Sequence, residues 1–161
     1  MKYTPRPDTK ALKTIVVLLS LCSLVFIGFG LAIGGFSADV LRALAIVPFC
    51  TAMLLTIRFG LYSYTYVLED FEFIITQKIG NKTRTVCRLY YTDITEIIAY
   101  DKAKDKIKGR KKYDYRVKIL PQKFYCLFYE IGNENEVILL EPDENFVNAL
   151  SKYIQDDILN D

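Results

Sequence analysis

Two uncharged runs followed by a long alternating stretch divide this chain. The first run, Thr14 to Phe36, reads TIVVLLSLCSLVFIGFGLAIGGF and holds no charge over 23 residues. At about 1.5 Å per residue it is long enough to cross a hydrocarbon core of roughly 30 Å. It is too long for the apolar region of a signal peptide and ends in no clean small-x-small cleavage site, so a retained helix over 14–36 is expected. The second run, Ala43 to Ile57, has 15 residues between Arg42 and Arg58 and is too short alone. With Val40 and Leu41 before it, Phe59 to Leu61 after it, and both arginines reaching out to the interfaces, it becomes a second span over 40–61. Pro48 is tolerated in such a helix as a kink. Ser37-Ala38-Asp39 forms the link. Ahead of the spans, residues 1–13 carry Lys2, Arg6, Lys10 and Lys13 with Pro5 and Pro7, which predicts a short, flexible basic arm.

From Tyr62 the period changes to two, and residues 62–161 read as one domain. Strands are expected over Tyr62–Leu68, Phe71–Lys78, Lys82–Tyr91, Ile94–Tyr100, Tyr113–Leu120, Phe124–Ile131 and Glu136–Glu141. Phe71, Phe73 and Ile75 fall on one face. Gly80-Asn81 suits a two-residue hairpin, and Pro121-Gln122 suits the centre of a type I turn. Phe124–Ile131 is apolar on both faces, as a central strand is. Asp143 is a candidate N-cap with Glu144 in the first turn. Phe146, Val147, Leu150, Tyr153, Ile154 and Ile158 then make one apolar helical stripe that must cover something, most simply the open end of a curved sheet.

Seven antiparallel strands closed by one C-terminal helix is the order of a pleckstrin-homology (PH) fold. The stretch YVLEDFEFIITQKIGNKTRTVCRLYYTDITEI (Tyr66–Ile97) and the end VILLEPDENFVNALSKYI (Val137–Ile154) carry a resemblance. They resemble small bacterial membrane proteins with two N-terminal transmembrane helices and a cytoplasmic PH-like domain, of the YcxB-like or bacterial PH type. The resemblance implies a transmembrane helical hairpin plus a mostly β, PH-like domain. Its motifs are apolar and turn positions, so it implies fold and location and no catalytic role. The basic insert after the fourth strand is not part of that pattern.

Charge changes the picture more than composition does. Between Lys102 and Lys123 there are ten Lys/Arg against two Asp, and between Glu130 and Asp161 nine acids against one Lys, so the domain surface is dipolar. The densest segment holds Lys102, Lys104, Lys106, Lys108, Arg110, Lys111 and Lys112. It reads as a solvated, mobile loop, as a contact for anionic lipid head groups, or as a contact for an acidic protein face, including that of another copy. No reader motif or aromatic ladder accompanies it, so nucleic acid is not an expected partner. The cations of the arm and of the region after Arg58, against Arg42 alone near the link, place both termini in the cytoplasm of a multi-pass protein of the cell membrane. Gly30 and Gly34 form a G-x-x-x-G pair, a candidate helix-packing site within the hairpin or between copies, although glycine is also simply common in membrane helices. Tyr62, Tyr64 and Tyr66 read as an interfacial belt or as part of an aromatic groove.

The chain has no His, which removes His-based acid/base catalysis, His triads and His-rich metal sites. Cys22, Cys50, Cys87 and Cys126 show no C-x-x-C spacing and read as buried, unpaired thiols. No phosphate loop, zincin motif or nucleophile elbow occurs, and the acid pairs Asp156-Asp157 and Glu134 with Glu136 read as solvated. The expected function is therefore a membrane-anchored interaction or assembly module without catalysis or cofactor, bound to membrane lipids and to a protein partner or its own copies. The alternative is an accessory subunit of a transporter or efflux system, docking through the glycine-bearing helix.

Overall fold

The structure, a computed structural model, describes residues 1–160 apart from Gly34, Leu120, Gln122 and Asn133, and backbone alone at Phe36 and residues 156–160. The chain forms two compact units. One is Pro7–Tyr62; the other joins Met1–Arg6 to Ser63–Asp161.

The first unit is a helical hairpin of α1 (Thr9–Ile33) and α2 (Gly35–Thr56), followed by a π-helical turn over Ile57–Leu61. Two segments of 25 residues, Thr9–Ile33 and Ser37–Leu61, are long and apolar enough to cross a membrane. The break falls earlier than the expected link at Ser37, because Gly35 takes a φ of +70°, a conformation that side chains with a Cβ resist. Small residues face each other at seven-residue intervals: Ser23 and Gly30 are buried on α1, and Ala38, Ala45 and Ala52 on α2. A seven-residue repeat keeps one seam in register between two helices, and small side chains let their backbones close on each other. Ser23 Oγ donates to the Ala45 carbonyl at 2.9 Å across this seam. The large apolar side chains point the other way: Leu18, Leu24, Phe29, Leu31, Val47 and Leu54 are all more than half exposed. Cys22 and Cys50 are also exposed on these helices, in contrast to the buried thiols expected there.

The second unit is built on two sheets. Sheet A has the order β1-β2-β3-β4, with β1 Lys2–Tyr3, β2 Tyr62–Leu68, β3 Glu72–Ile79 and β4 Lys82–Tyr90. Sheet B has the order β5-β7-β8-β6, with β5 Ile94–Ala99, β6 Lys111–Asp114, β7 Tyr125–Ile131 and β8 Glu134–Leu140. The mostly β, PH-like class expected from the sequence is present, with eight strands among the described residues in place of seven.

The basic arm is not a flexible tail at its start. Lys2 and Tyr3 pair antiparallel with Val67 and Tyr66, and Met1 and Leu68 exchange backbone hydrogen bonds at 2.7 Å. Pro5 is fully buried, and Thr4 and Thr65 share a hydroxyl hydrogen bond at 2.9 Å. The missing signal is length: two residues of strand are too few to show a period of two.

A second difference concerns the expected strand Tyr113–Leu120. Among the described residues of this segment only Lys111–Asp114 pairs, and it runs parallel to β8, so the sheet is not purely antiparallel. The segment from α3 (Tyr100–Ala103) to Arg110 folds back, so the chain meets the free edge of β8 running in the same direction as β8. Beyond Asp114 the Glu141 carboxylate replaces a partner strand, with its Oε2 accepting from the Val117 and Lys118 N–H groups at 2.9 and 3.0 Å. Phe71 likewise leaves the expected apolar face. It precedes β3 in the turn after β2 and is 77% exposed.

The C-terminal helix α4 (Glu144–Asn160) closes the domain as its stripe requires. Asp143 Oδ1 accepts from the Phe146 N–H at 2.8 Å, making the expected N-cap. Phe146, Leu150 and Ile154 are buried, and the Phe146 ring meets Tyr3, Tyr66 and Phe73 of sheet A at 5.9 to 6.3 Å. Tyr153 stacks on Tyr91 at 5.2 Å. Tyr64 and Tyr66 are buried in this core, so they do not form the exposed aromatic belt expected of them.

The N-terminal strand makes a direct prediction. A chain begun at Ser63 loses the β1 ladder and the Tyr3 ring contacts, and is expected to be less stable by about 2 kcal/mol or more. A chain joining residues 1–6 to Ser63 through a short Gly/Ser linker keeps them. Thermal melts of the two should separate by roughly 10 °C; coincident melts would show that β1 contributes nothing.

Candidate functional site

The basic segment Lys102–Lys112 is fastened from beneath. Its two apolar residues, Ala103 and Ile107, are buried in a cluster with Cys126, Phe128, Val137 and Leu139 of sheet B. Hydrophobic contact therefore holds a stretch that by charge alone reads as solvated and mobile. Seven cations in the segment mask the two apolar residues between them.

Most of those cations have carboxylate neighbours. Lys104 lies 3.5 Å from Asp101, Lys106 2.6 Å from Glu96, Lys108 3.1 Å from Asp105 and Lys111 2.8 Å from Glu136. The Arg110 guanidinium sits 4.9 Å from the centre of the Phe128 ring. Lys102 and Lys112 have no carboxylate partner among the described residues. Exposed pairs of this kind contribute little to stability, about 0–1 kcal/mol each. Their electrostatic effect is larger, because four acids offset part of the positive field that the bare sequence suggests.

One pairing goes deeper. Glu136, at the edge where β6 meets β8, is buried, and its carboxylate accepts from Lys111 Nζ at 2.8 Å, from the Tyr113 hydroxyl at 3.2 Å and from the Tyr129 hydroxyl. Lys111 first, then Tyr129 and Tyr113, hold the Glu136 carboxyl below the usual carboxylate range. Burial, and then the Glu136 carboxylate, push the Tyr129 phenol above its usual value. The group is a locked anion that fixes the start of β6, and with it one end of the basic segment. From sequence alone Glu136 reads as a solvated acid, since an acid before an apolar run normally marks a strand end. Glu141, at the other end of that run, was missed in the same way.

Neither Cys87 nor Cys126 is activated. Burial pushes Cys87 and Cys126 up to about 11, so at neutral pH both stay protonated. Among the described residues no group of three or more Cys, Asp or Glu could hold a metal ion.

In the helical unit, Gly30 faces α2. A Cβ there would lie 3.0 Å from the Ala38 carbonyl oxygen and 3.0 Å from Arg42 Cγ. The absence of a side chain lets Arg42 lie across α1 and donate from Nη2 to the Gly30 carbonyl at 3.2 Å. Gly34, the other member of the pair, lies outside the described residues.

A family model described as Bacterial PH-like domain (DUF6106) matches residues 2–160. Neither a curated protein nor a solved structure matches the chain.

The Glu136 pairing sets a pH dependence. A carboxyl held low in the folded state stabilises the domain above the unfolded Glu range near pH 4.3, and this stability is lost as pH falls through the folded value. Glu136→Gln is expected to cost about 1 kcal/mol at pH 7 and to shrink the loss of stability on acidification below about pH 5. Thermal melts across pH measure both; parallel curves for the two proteins would exclude Glu136 as the titrating group.

Proposed function

The chain belongs to the bacterial PH-like domain family, and from that footing we propose that it is a membrane-anchored interaction and assembly module on the cytoplasmic face of the cell membrane, with no catalytic step. One observation carries the reading. The apolar hairpin leaves the PH-like unit after Arg6 and returns to it at Ser63, while its own surface offers large apolar side chains outward. A water-soluble protein rarely leaves so much apolar surface open, and a bilayer covers it at no such cost.

Both ends of the hairpin belong to one folded unit, so a spanning hairpin holds both on the same side. The positive-inside rule, which counts Lys and Arg rather than net charge, favours the cytoplasm for that side: Lys2, Arg6, Lys10 and Lys13 precede α1, while Arg42 stands alone near the link between the helices. The exposed Phe71, beside Tyr90 at 57% exposure, offers an aromatic contact for a protein partner or a second copy at the end of β2 remote from Ser63. The basic segment adds a weak attraction to an anionic leaflet through Lys102 and Lys112.

A cysteine placed at Ser37 in a chain whose four native cysteines are Ser tests the topology. It should react with a membrane-impermeant maleimide in intact cells, while cysteines at Thr4 or Asn148 should react only after lysis. The chain should also stay with membranes through an alkaline wash. Release by that wash, or labelling at Thr4 before lysis, would overturn the reading.

A further inference from the structure

The turn between β2 and β3 holds an aromatic ring that the fold leaves uncovered, although the turn itself is tied down. Glu69 N–H donates to the Glu72 carbonyl at 3.0 Å, and the Glu69 carbonyl accepts from the hydroxyl of the buried Tyr91 at 2.7 Å. At the base of the turn the Leu68 N–H donates to the Met1 carbonyl at 2.7 Å. Phe71 is thus held out on a fixed backbone, at 77% exposure against 70% for Leu31 on the outer face of α1. A side chain on a backbone already ordered loses less entropy when it docks. Tyr90, also exposed, stands opposite Glu72 in the β3–β4 ladder. With Arg88 and residues 68–72 it lines an open cleft of about 570 Å³.

The charge around this ring decides what can cover it. Glu72 is paired with Arg88, whose Nε lies 3.2 Å away. Glu69 and Asp70 are exposed and have no cation partner among the described residues. Two such turns cannot meet face to face, because like charges across an interface repel. The surface that fits is cationic, and the same unit carries one in the segment Lys102–Lys112. Lys102 and Lys112 are exposed without a carboxylate partner among the described residues. Lys104 and Lys108 are paired only with Asp101 and Asp105, whose side chains are 90% and 95% exposed. Ion pairs so open to water are weak and give way to new partners. Ala103 and Ile107 fasten the segment from beneath, so its lysines stand on a fixed surface. Lysine stems offer methylene surface to an aromatic ring, and the ammonium group is attracted to the ring face.

We propose that the β2–β3 turn of one copy docks on the basic segment of a second copy, with Phe71 and Tyr90 laid against lysine stems and Glu69 and Asp70 facing lysines of the segment, Lys102 and Lys112 among them. The contact joins two different surfaces, so copies associate head to tail, the arrangement that closes into a ring or runs on as a filament. The inference rests on the reading of the protein as an assembly module and names the occupant of its exposed aromatic turn.

The test uses the full chain in an uncharged detergent, where no anionic leaflet competes for the lysines, and follows its sedimentation as protein concentration rises. The wild type should associate, and less so as salt is added. Phe71→Ala should weaken association about tenfold, as removal of an aromatic anchor does. Glu69→Lys with Asp70→Lys, and separately Lys102→Glu with Lys112→Glu, should each stay dissociated at concentrations where the wild type associates. An equal mixture of these two variants should associate again, because each then meets a surface of opposite charge. Misfolded chains cannot give that rescue. Where a reversal lowers the melting temperature, Glu69→Gln with Asp70→Asn takes its place, with an expected loss of about fivefold. A wild type that stays monomeric, association indifferent to Phe71→Ala and to loss of the turn acids, or a mixture of folded variants that remains apart would overturn the proposal. These outcomes separate the levels. Association that survives every variant defeats this contact alone and leaves assembly through another surface, whereas a monomeric wild type defeats assembly through copies as well. Release of the chain by alkaline wash defeats the anchor and leaves the contact standing.

Discussion

The pairing of β1 with β2 is the constraint on which the rest depends. Two residues of strand, Lys2 and Tyr3, take the free edge of β2, and the buried Pro5 and the Thr4–Thr65 hydrogen bond extend the join. Everything between Arg6 and Ser63 becomes an insertion whose two ends are held side by side. Closing a long loop costs entropy, but the cost grows only slowly with length, so a few ladder bonds and one half-buried aromatic ring suffice to hold it. That ring is Tyr3, which joins Tyr66 and Phe146 and so ties the first residues of the chain to its last helix.

A second join holds the two sheets together. Tyr66 is fully buried in sheet A, and its hydroxyl donates to the Tyr115 carbonyl at 2.9 Å and accepts from the Glu141 N–H at 3.2 Å. Glu141 in turn fixes Val117 and Lys118. After β6 the Tyr115 N–H donates to the Leu139 carbonyl and the Arg116 N–H to Asp114 Oδ1, so Glu141 completes a run of satisfied backbone donors, as buried polar groups require. Burial raises the Tyr66 phenol well above its usual range, so this hydroxyl keeps its proton through any pH at which the domain is folded.

Much of this architecture is legible in the sequence because it is written in periodicity. The uncharged runs, the alternation from Tyr62 and the stripe from Phe146 each repeat often enough to stand out. What escaped was short or mixed. β1 has too few residues to show a period. Glu136 and Glu141 look solvated because an acid beside an apolar run usually is, and it takes Lys111, the tyrosines and backbone N–H groups brought from other segments to make their burial tolerable. Ala103 and Ile107 are invisible among seven cations until the sheet beneath them is known.

The split origin of sheet A has a consequence for how the molecule is made. Its first strand is synthesised more than fifty residues before the strand it pairs with, and the apolar hairpin emerges in between. The sheet cannot be completed until that hairpin has found its place. For a hairpin entering a bilayer, insertion of one helix without the other would leave the arm on the far side from the domain and the edge of β2 open, with Phe146 lacking one of its three aromatic neighbours. Completion of the fold is then a check on insertion: only chains whose arm stayed with the domain can finish folding, and misinserted ones display an unpaired strand edge to quality control.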